Sequence, residues 1–385
     1  MSDQVRENEG SIDRDPDVGS VIYPAQGLLA GEFLCGLWAS ACDALAIPAD
    51  QTVRSIRVLR SVLPAWAGER IGPAPAEPSY VADDGFPAEL SVNWSGTRPE
   101  LRLLFDCGLA SRDSPWHARS GAVAANRRLG RIHEVFTPQV GRSPAPLWHS
   151  VAWRPPSRPV HKTYFGLYAW PLPQRYAAVS EAMRRLRMTA AWNDARRRVE
   201  GTAGRREIEF FAVDLADEAD ARVKIYYRNH GADIGEVNRV ASVARHHDAE
   251  RASAAYRTLT GGRTDAGEAA LNCLAFRSGL DGAAECATYL RLAGLASCDR
   301  EAVDRTAELL RREGVDPGRF RGLATALAPG PLHDSRDLLA LVSYRAAGRP
   351  GDVTTYFRPP VYDRSVPRPS SPADLAARDR NDDSA

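Results

Sequence analysis

The chain predicts an α+β fold in which five units of helical material followed by a β-hairpin close ten antiparallel strands into a barrel inside a ring of helices. Three observations predict it. The runs LRLLFD, KTYFGL, VKIYYRN, ATYLRL and TTYFRP align on Leu104, Tyr164, Tyr226, Tyr289 and Tyr356, which lie 60, 62, 63 and 67 residues apart. So steady a period marks an internal repeat. Each of these runs follows a second β-like run (AELSVNW, WHSVAW, EIEFFAVDL, LNCLAFRSG, LLALVSY), with polar or Gly/Pro-bearing residues between the two, as in a hairpin. Between hairpins the apolar period changes from 2 to 3.6, with Arg and Glu opposite the apolar stripe.

In chain order, residues 1–20 are charged and rich in Gly, Ser and Asp and are expected to be a disordered tail. Residues 25–66 have helical character, and the turn-rich IGPAPAEPSYVADDGFP leads into the first hairpin. A helix is expected within DSPWHARSGAVAANRRLGRIHEVF, and further amphipathic helices over 174–200, about 233–260 and 299–314, each followed by its hairpin. Residues 363–385 combine Pro, Ser and mixed charge and are expected to be a second disordered tail, leaving 21–362 as one domain. A chain of 385 residues ordinarily suggests two or three domains, and a repeat closed into a barrel overrides that expectation.

Composition narrows the class. With 44% hydrophobic and 26% charged residues the chain is globular, and a net charge of +1 excludes a global basic field for nucleic acid or anionic lipid. Any anion site must be a local concentration of Arg and Lys. No apolar run approaches the roughly 20 residues needed to span a bilayer, and the acidic, polar N-terminus is unlike a targeting segment, so a cytoplasmic protein is expected. The six cysteines form no CxxC pair and read as buried thiols. The histidines, His246-His247 included, read as surface or core residues.

Alternation decides which face of each strand points where. Arg222, Lys224, Tyr226 and Arg228 share one face and Val223, Ile225 and Tyr227 the other; Glu89, Ser91 and Asn93 likewise oppose Leu90, Val92 and Trp94. The apolar face needs the helices. The polar face is either a solvent face of an open sheet or the lining of a barrel, and closure removes the edges that ten strands otherwise leave. In a closed barrel Arg102, Lys162, Arg222 and Lys224 enter one lumen, with Tyr164, Tyr226, Tyr289 and Tyr356 beside them. Several cations suit a diphosphate that must be held and must leave, and a ring of tyrosine faces suits the allylic cation left behind. Glu89, the one acidic residue this reading turns inward over the first three hairpins, suits an indole N–H.

These residues resemble the aromatic prenyltransferases of the dimethylallyltryptophan synthase type, the ABBA barrel family built of ααββ repeats. FPAELSVNW with LRLLFD, KTYFGLY, RVKIYYR, ATYLRL, and LVSYR with TTYFRPP carry the likeness over most of residues 86–359. The resemblance implies transfer of a dimethylallyl or longer prenyl group from its diphosphate to an indole, of tryptophan or a tryptophan-derived metabolite, with no cofactor and no required Mg²⁺. It implies that Glu89 binds the indole nitrogen. Arg102, Lys162, Arg222 and Lys224 would grip the diphosphate, joined by the hydroxyls of Tyr226, Tyr289 and Tyr356. Tyr164, Tyr226, Tyr289 and Tyr356 would shield the cation, and Lys162 would take the proton lost as the ring regains aromaticity. The implied partners are a prenyl diphosphate and an aromatic acceptor, with no nucleic acid and no membrane, in a monomer or homodimer.

Three positions depart from the pattern. Ala287 stands where a polar donor is common in the family, with Arg345 or Arg349 as candidates to compensate. Gly166 puts no side chain into the lumen, which suggests room for a larger acceptor or longer donor. Asp83-Asp84 lies in a turn, unlike the helical DDxxD that holds magnesium in other prenyl diphosphate enzymes, and no phosphate-binding glycine motif is present. A phenolic or other non-indole acceptor on the same fold, or a non-catalytic barrel that binds a hydrophobic anion, remain the alternatives.

Overall fold

The computed structural model describes residues 23–362 apart from 78, 97, 111–125, 217–220, 268–269 and 349–350. Both expected tails and Arg349 lie outside the described residues, as does the start of the helix expected between the first two hairpins. Ten strands form one closed antiparallel barrel. The first hairpin is β1 (Ala88–Asn93) and β2 (Glu100–Leu109), the second β3 (Pro146–Trp153) and β4 (Val160–Gly166), the third β5 (Arg205–Asp214) and β6 (Val223–His230). The fourth is β7 (Ala270–Phe276) and β8 (Glu285–Arg291), and the fifth β9 (Leu339–Arg345) and β10 (Asp352–Phe357). Pairing of β1 with β10, Leu90 opposite Phe357 and Asn93 opposite Thr354, closes the ring and leaves no open edge.

Helices precede each hairpin: α1 (Ala30–Ala44) and α2 (Ala49–Val62), α3 (Arg127–Phe136), α4 (Leu172–Arg185) and α5 (Thr189–Glu200), α6 (Ile234–Ala241) and α7 (Ala249–Leu259), α8 (Asp299–Arg312) and α9 (Gly318–Leu327). The stripe over 174–200 is therefore two helices. Arg187 takes a left-handed φ of 60° between them, and Met188 N–H returns to Met183 O at 2.8 Å, which ends α4 and lets α5 fold back. The stretch 233–260 splits in the same way at residues 242–248, where α6 opens on a capping box of Asp233 and Glu236 and α7 on the Asp248 side chain. α9 was not expected, because GRFRGLATAL carries two glycines and a weak stripe; its Phe320, Leu323, Ala324 and Leu327 are buried all the same.

The main core lies between barrel and helices. Leu90, Val92, Leu101, Leu103 and Phe105 point outward from β1 and β2 onto Phe33, Leu37 and Trp38 of α1. On the other side Phe165 and Phe211 meet Phe136 and Trp192, with the Phe136 and Phe165 rings stacked at 4.0 Å. Two aromatic polar tips within this layer find partners: Trp38 Nε1 donates to Ser55 Oγ at 2.9 Å, and Tyr256 hydroxyl to Thr288 Oγ1 at 2.7 Å. Cys35, Cys42, Cys273 and Cys286 are buried free thiols as expected, whereas Cys107 and Cys298 are half-buried. Among the described residues no helix is long and apolar enough to cross a membrane.

Candidate active site

With one strand face committed to the helices, the other lines the lumen, and successive inward residues on the even-numbered strands form three levels. Nearest the hairpin turns are Arg102, Lys162, Lys224, Ala287 and Thr354, with Arg222 just before β6. Next come Leu104, Tyr164, Tyr226, Tyr289 and Tyr356, and beyond them Asp106, Gly166, Arg228, Arg291 and Arg358.

The hairpin end is strongly basic. Arg102 Nε lies 2.5 Å from Glu100, Arg222 Nε 2.8 Å and Lys224 Nζ 4.0 Å from Asp214, and Lys162 pairs in register with Asp214 across β4 and β5. Arg345 points inward, paired with Glu285 and Asp352, so it supplies the cation that Ala287 does not. Arg154 and Arg277 complete the rim at 3.6 Å from Glu100 and Glu285. Over the first three hairpins Glu89 is thus not the sole inward carboxylate. Glu100 and Asp214 share the face with the cations, and they are needed there because uncompensated guanidinium and ammonium groups repel one another in a low-dielectric site. Burial alone would raise both carboxyls, but the cations outweigh it: Arg102 and Lys162 bring Glu100 down to about 2, and Lys224, Lys162 and Arg222 hold Asp214 lower still. Burial, then the neighbouring Lys224 and Arg102, pushes the Lys162 ammonium well below its ordinary 10.5. Lys224 is lowered by burial and Arg222. Seven cationic side chains face four carboxylates, a surplus that a bound dianion or trianion would offset. A cavity of about 50 Å³ opens among Arg102, Arg222, Lys224, Arg345, Tyr289 and Tyr356, with Cys273, Ala275 and Ala287 as its small-residue wall.

Above the cations the four tyrosines form an unbroken chain of rings. Centroids are 6.1 Å apart for Tyr164 and Tyr226, 5.8 Å for Tyr226 and Tyr289, and 5.6 Å for Tyr289 and Tyr356. Burial raises the pKa of Tyr226 and Tyr289 well above 10, so they stay neutral phenols. Continuous with them is an aromatic wall that sequence reasoning missed: Phe210 lies 6.0 Å from Tyr226, 4.8 Å from Trp148 and 5.7 Å from Tyr168, and Tyr80 stands 5.4 Å from Tyr168. This wall overturns the reading of Gly166 as spare room. A Cβ on Gly166 would meet Tyr168 Cε1 at 2.7 Å, so the space is already taken by the Tyr168 ring.

Glu89, 5% exposed, sits at the far level, where Arg358 clamps its Oε2. Arg358 also donates to Asp83 at 2.8 Å, and Arg291 donates to Asp83 at 2.9 Å. Asp84 accepts from the backbone N–H groups of Phe86, Val361 and Tyr362 at 2.9–3.1 Å. The Asp83-Asp84 turn is therefore a brace that fixes Glu89 through Arg358. A Tyr-x-Arg pattern in YYR, YLR and YFR was the signal for Arg228, Arg291 and Arg358.

Ten strands closed inside helices, with a basic end, a tyrosine ring and an aromatic wall in one lumen, make the barrel architecture of the ABBA prenyltransferases, and solved transferases of that class are this chain's structural neighbours. Within it the likeness is to the dimethylallyltryptophan synthases. The 6-dimethylallyltryptophan synthase of Micromonospora olivasterospora, solved with DMASPP and Trp, superposes with a TM-score of 0.78 at 29% identity over 89% of this chain and 100% of its own. The 5-dimethylallyltryptophan synthase of Streptomyces coelicolor, also with DMASPP and Trp, gives 0.78 at 22% identity over 89% of this chain and 99% of its own. AnaPT of Neosartorya fischeri shares the fold at a TM-score of 0.66 and 14% identity over 87% of this chain and 95% of its own. No protein-family model matches the chain.

Proposed function

We propose that the protein transfers a dimethylallyl group from its diphosphate to the indole ring of tryptophan or a tryptophan-derived compound, by alkylation of the ring without a metal ion. The observation that carries this is a ring of four tyrosines separating a buried cation cluster from a buried carboxylate, Glu89, in one closed lumen. Neighbours solved with DMASPP and Trp support the choice of donor and acceptor.

Arg102, Lys162, Arg222, Lys224 and Arg345 hold the diphosphate, and tyrosine hydroxyls at the adjoining level donate to it. As the allylic C–O bond breaks, its electron pair leaves with the diphosphate, whose growing charge these cations neutralise. The dimethylallyl cation faces Tyr164, Tyr226, Tyr289 and Tyr356, which stabilise it through their π faces and exclude water. Glu89, held by Arg358, accepts the indole N–H and enriches the ring that attacks. A C–C bond forms, and the proton on the attacked carbon is relayed to the departed diphosphate through Lys162, which gives its own ammonium proton to a phosphate oxygen as it takes up the ring proton. Every carboxylate at the basic end is engaged by Arg or Lys, which supports metal-independent binding of the donor. We place the protein in the cytoplasm, as a monomer or homodimer.

Incubation with dimethylallyl diphosphate and tryptophan, followed by mass spectrometry, tests the reading. An indole product heavier by one dimethylallyl unit is expected. Diphosphate binding with no alkylation of any indole or phenol would instead indicate a non-catalytic anion-binding barrel.

A further inference from the structure

Outside the barrel lies a buried carboxylate with no part in the chemistry above. Glu313 follows α8 and is 9% exposed, and three donors converge on it. The hydroxyl of the fully buried Tyr344 donates to Oε1, the Gly351 N–H donates to Oε2 at 2.5 Å, and Arg251 Nε of α7 lies 3.7 Å from Oε1. Arg251 Nε also donates to the Tyr344 hydroxyl at 2.9 Å, and another nitrogen of the same guanidinium donates to Gly348 O. The Asp248 N–H, at the head of α7, donates to Ala346 O at 2.9 Å. Two helices thus grip both strands of the β9–β10 hairpin near its turn.

Alternation carries that grip into the lumen. Tyr344 and Gly351 meet the helices, so the next residue along each strand, Arg345 on β9 and Asp352 on β10, turns inward, and these two are partners in register. Arg345 lines the basic cavity, paired with Glu285 and Asp352. A Cβ on Gly351 would meet Tyr344 Cε2 at 2.7 Å and Glu313 Oε2 at 2.8 Å, so ring, carboxylate and hairpin backbone are already in close contact. Burying a carboxylate is costly unless donors meet it, and two of the three donors here belong to the hairpin itself. The hairpin cannot shift without giving them up.

We propose that Glu313 is a positioning residue for the donor: by fixing Tyr344 and Gly351 from outside the barrel, it sets the backbone from which Arg345 reaches the diphosphate. The assignment rests on the reading above of the basic end as the diphosphate site. A guanidinium presents its N–H donors in a rigid planar fork, so its grip on a phosphate depends on the direction from which it arrives. On this wall Ala287 offers no donor, which leaves the aim of Arg345 uncompensated. A brace that served stability alone would not single out the donor end of the lumen.

Calorimetry with inorganic diphosphate, on the full chain without acceptor, tests this alongside steady-state kinetics with tryptophan. Glu313→Gln keeps the shape but replaces one acceptor oxygen by an amide nitrogen. It is expected to weaken diphosphate binding about fivefold and to raise donor KM similarly, with tryptophan KM within about twofold of the parent. In an Arg345→Ala background, where diphosphate binding is already weaker, the same substitution is expected to add less than about twofold. Tyr344→Phe, which keeps the ring and loses the hydroxyl, is expected to reproduce both results should Glu313→Gln fail to fold. Diphosphate binding as tight as in the parent, a loss of equal factor with and without Arg345, or a loss shared equally between donor and tryptophan overturns the positioning role and leaves the prenyltransferase reading intact. A parent that binds no diphosphate removes both.

Discussion

Glu89 and Lys162 sit on opposite sides of the tyrosine ring, and their environments assign them different tasks. Glu89 is fixed by Arg358, itself braced by Asp83, so its carboxylate is positioned before any acceptor arrives. Glu89→Ala is expected to lower kcat by about 10² while leaving donor affinity nearly unchanged, since the cations lie at the other end; single-turnover assays with tryptophan, alongside diphosphate inhibition, measure the two effects separately. Turnover near that of the parent would remove Glu89 from the mechanism. Lys162 carries a pKa held well below 10.5 by burial and by Lys224 and Arg102. A bound dianion favours the ammonium form and raises that pKa again. Between the depressed value and 10.5 the free site is deprotonated, so diphosphate binding must take up a proton and affinity must fall as pH rises. Calorimetry in buffers of different ionisation enthalpy should show uptake of up to about one proton, abolished in Lys162→Met; binding without uptake in the parent would place the depressed pKa elsewhere.

At the scale of the elements, the loop that follows β4 matters most. Gly166 ends the strand, and Tyr168 swings back over it into the aromatic wall, held there by Arg175 of α4 through the Tyr168 carbonyl at 3.0 Å. Gly166→Ala places a methyl group 2.7 Å from the Tyr168 ring, so ring or strand must shift. The expected result is a several-fold rise in acceptor KM with diphosphate inhibition within about twofold of the parent, because the basic end belongs to the opposite ends of the strands. Equal effects on both would mean that the strain travels through the barrel. Unchanged kinetics would show that the wall does not touch the acceptor.

The whole molecule is nearly neutral, at a net charge of +1, although cations outnumber carboxylates at the basic end. Each carboxylate at the basic end is engaged by an arginine or lysine, and no group of three His, Cys, Asp or Glu suited to a metal ion occurs among the described residues. Oxygen ligands already committed to guanidinium groups are poor ligands for Mg²⁺, which binds through carboxylates and water. Product formation in EDTA is therefore expected within about twofold of the rate with Mg²⁺, an order-of-magnitude expectation from charge balance. Loss of all activity in EDTA, restored by Mg²⁺, would show that the basic lumen is insufficient.

The sequence by itself determined the barrel, the cation level and the tyrosine level, because these recur with a period near sixty residues and because strand alternation separates a polar face from an apolar one. Arg102, Lys162, Arg222, Lys224 and the four tyrosines were legible for that reason. Trp148 was not, since WHSVAW carries one tryptophan and one polar residue on each face and alternation cannot say which tryptophan turns inward. Glu313 escaped because it sits at the end of a helix, outside the strands whose alternation such a reading follows. Gly166 was misread, because whether a missing side chain leaves space depends on what packs there, and that was Tyr168 from beyond the strand. The brace of Asp83, Arg291 and Arg358 joins residues more than two hundred positions apart. Periodicity is a local property of the chain and survives in the sequence, whereas the partner of a buried charge and the occupant of a gap are set only when the barrel closes.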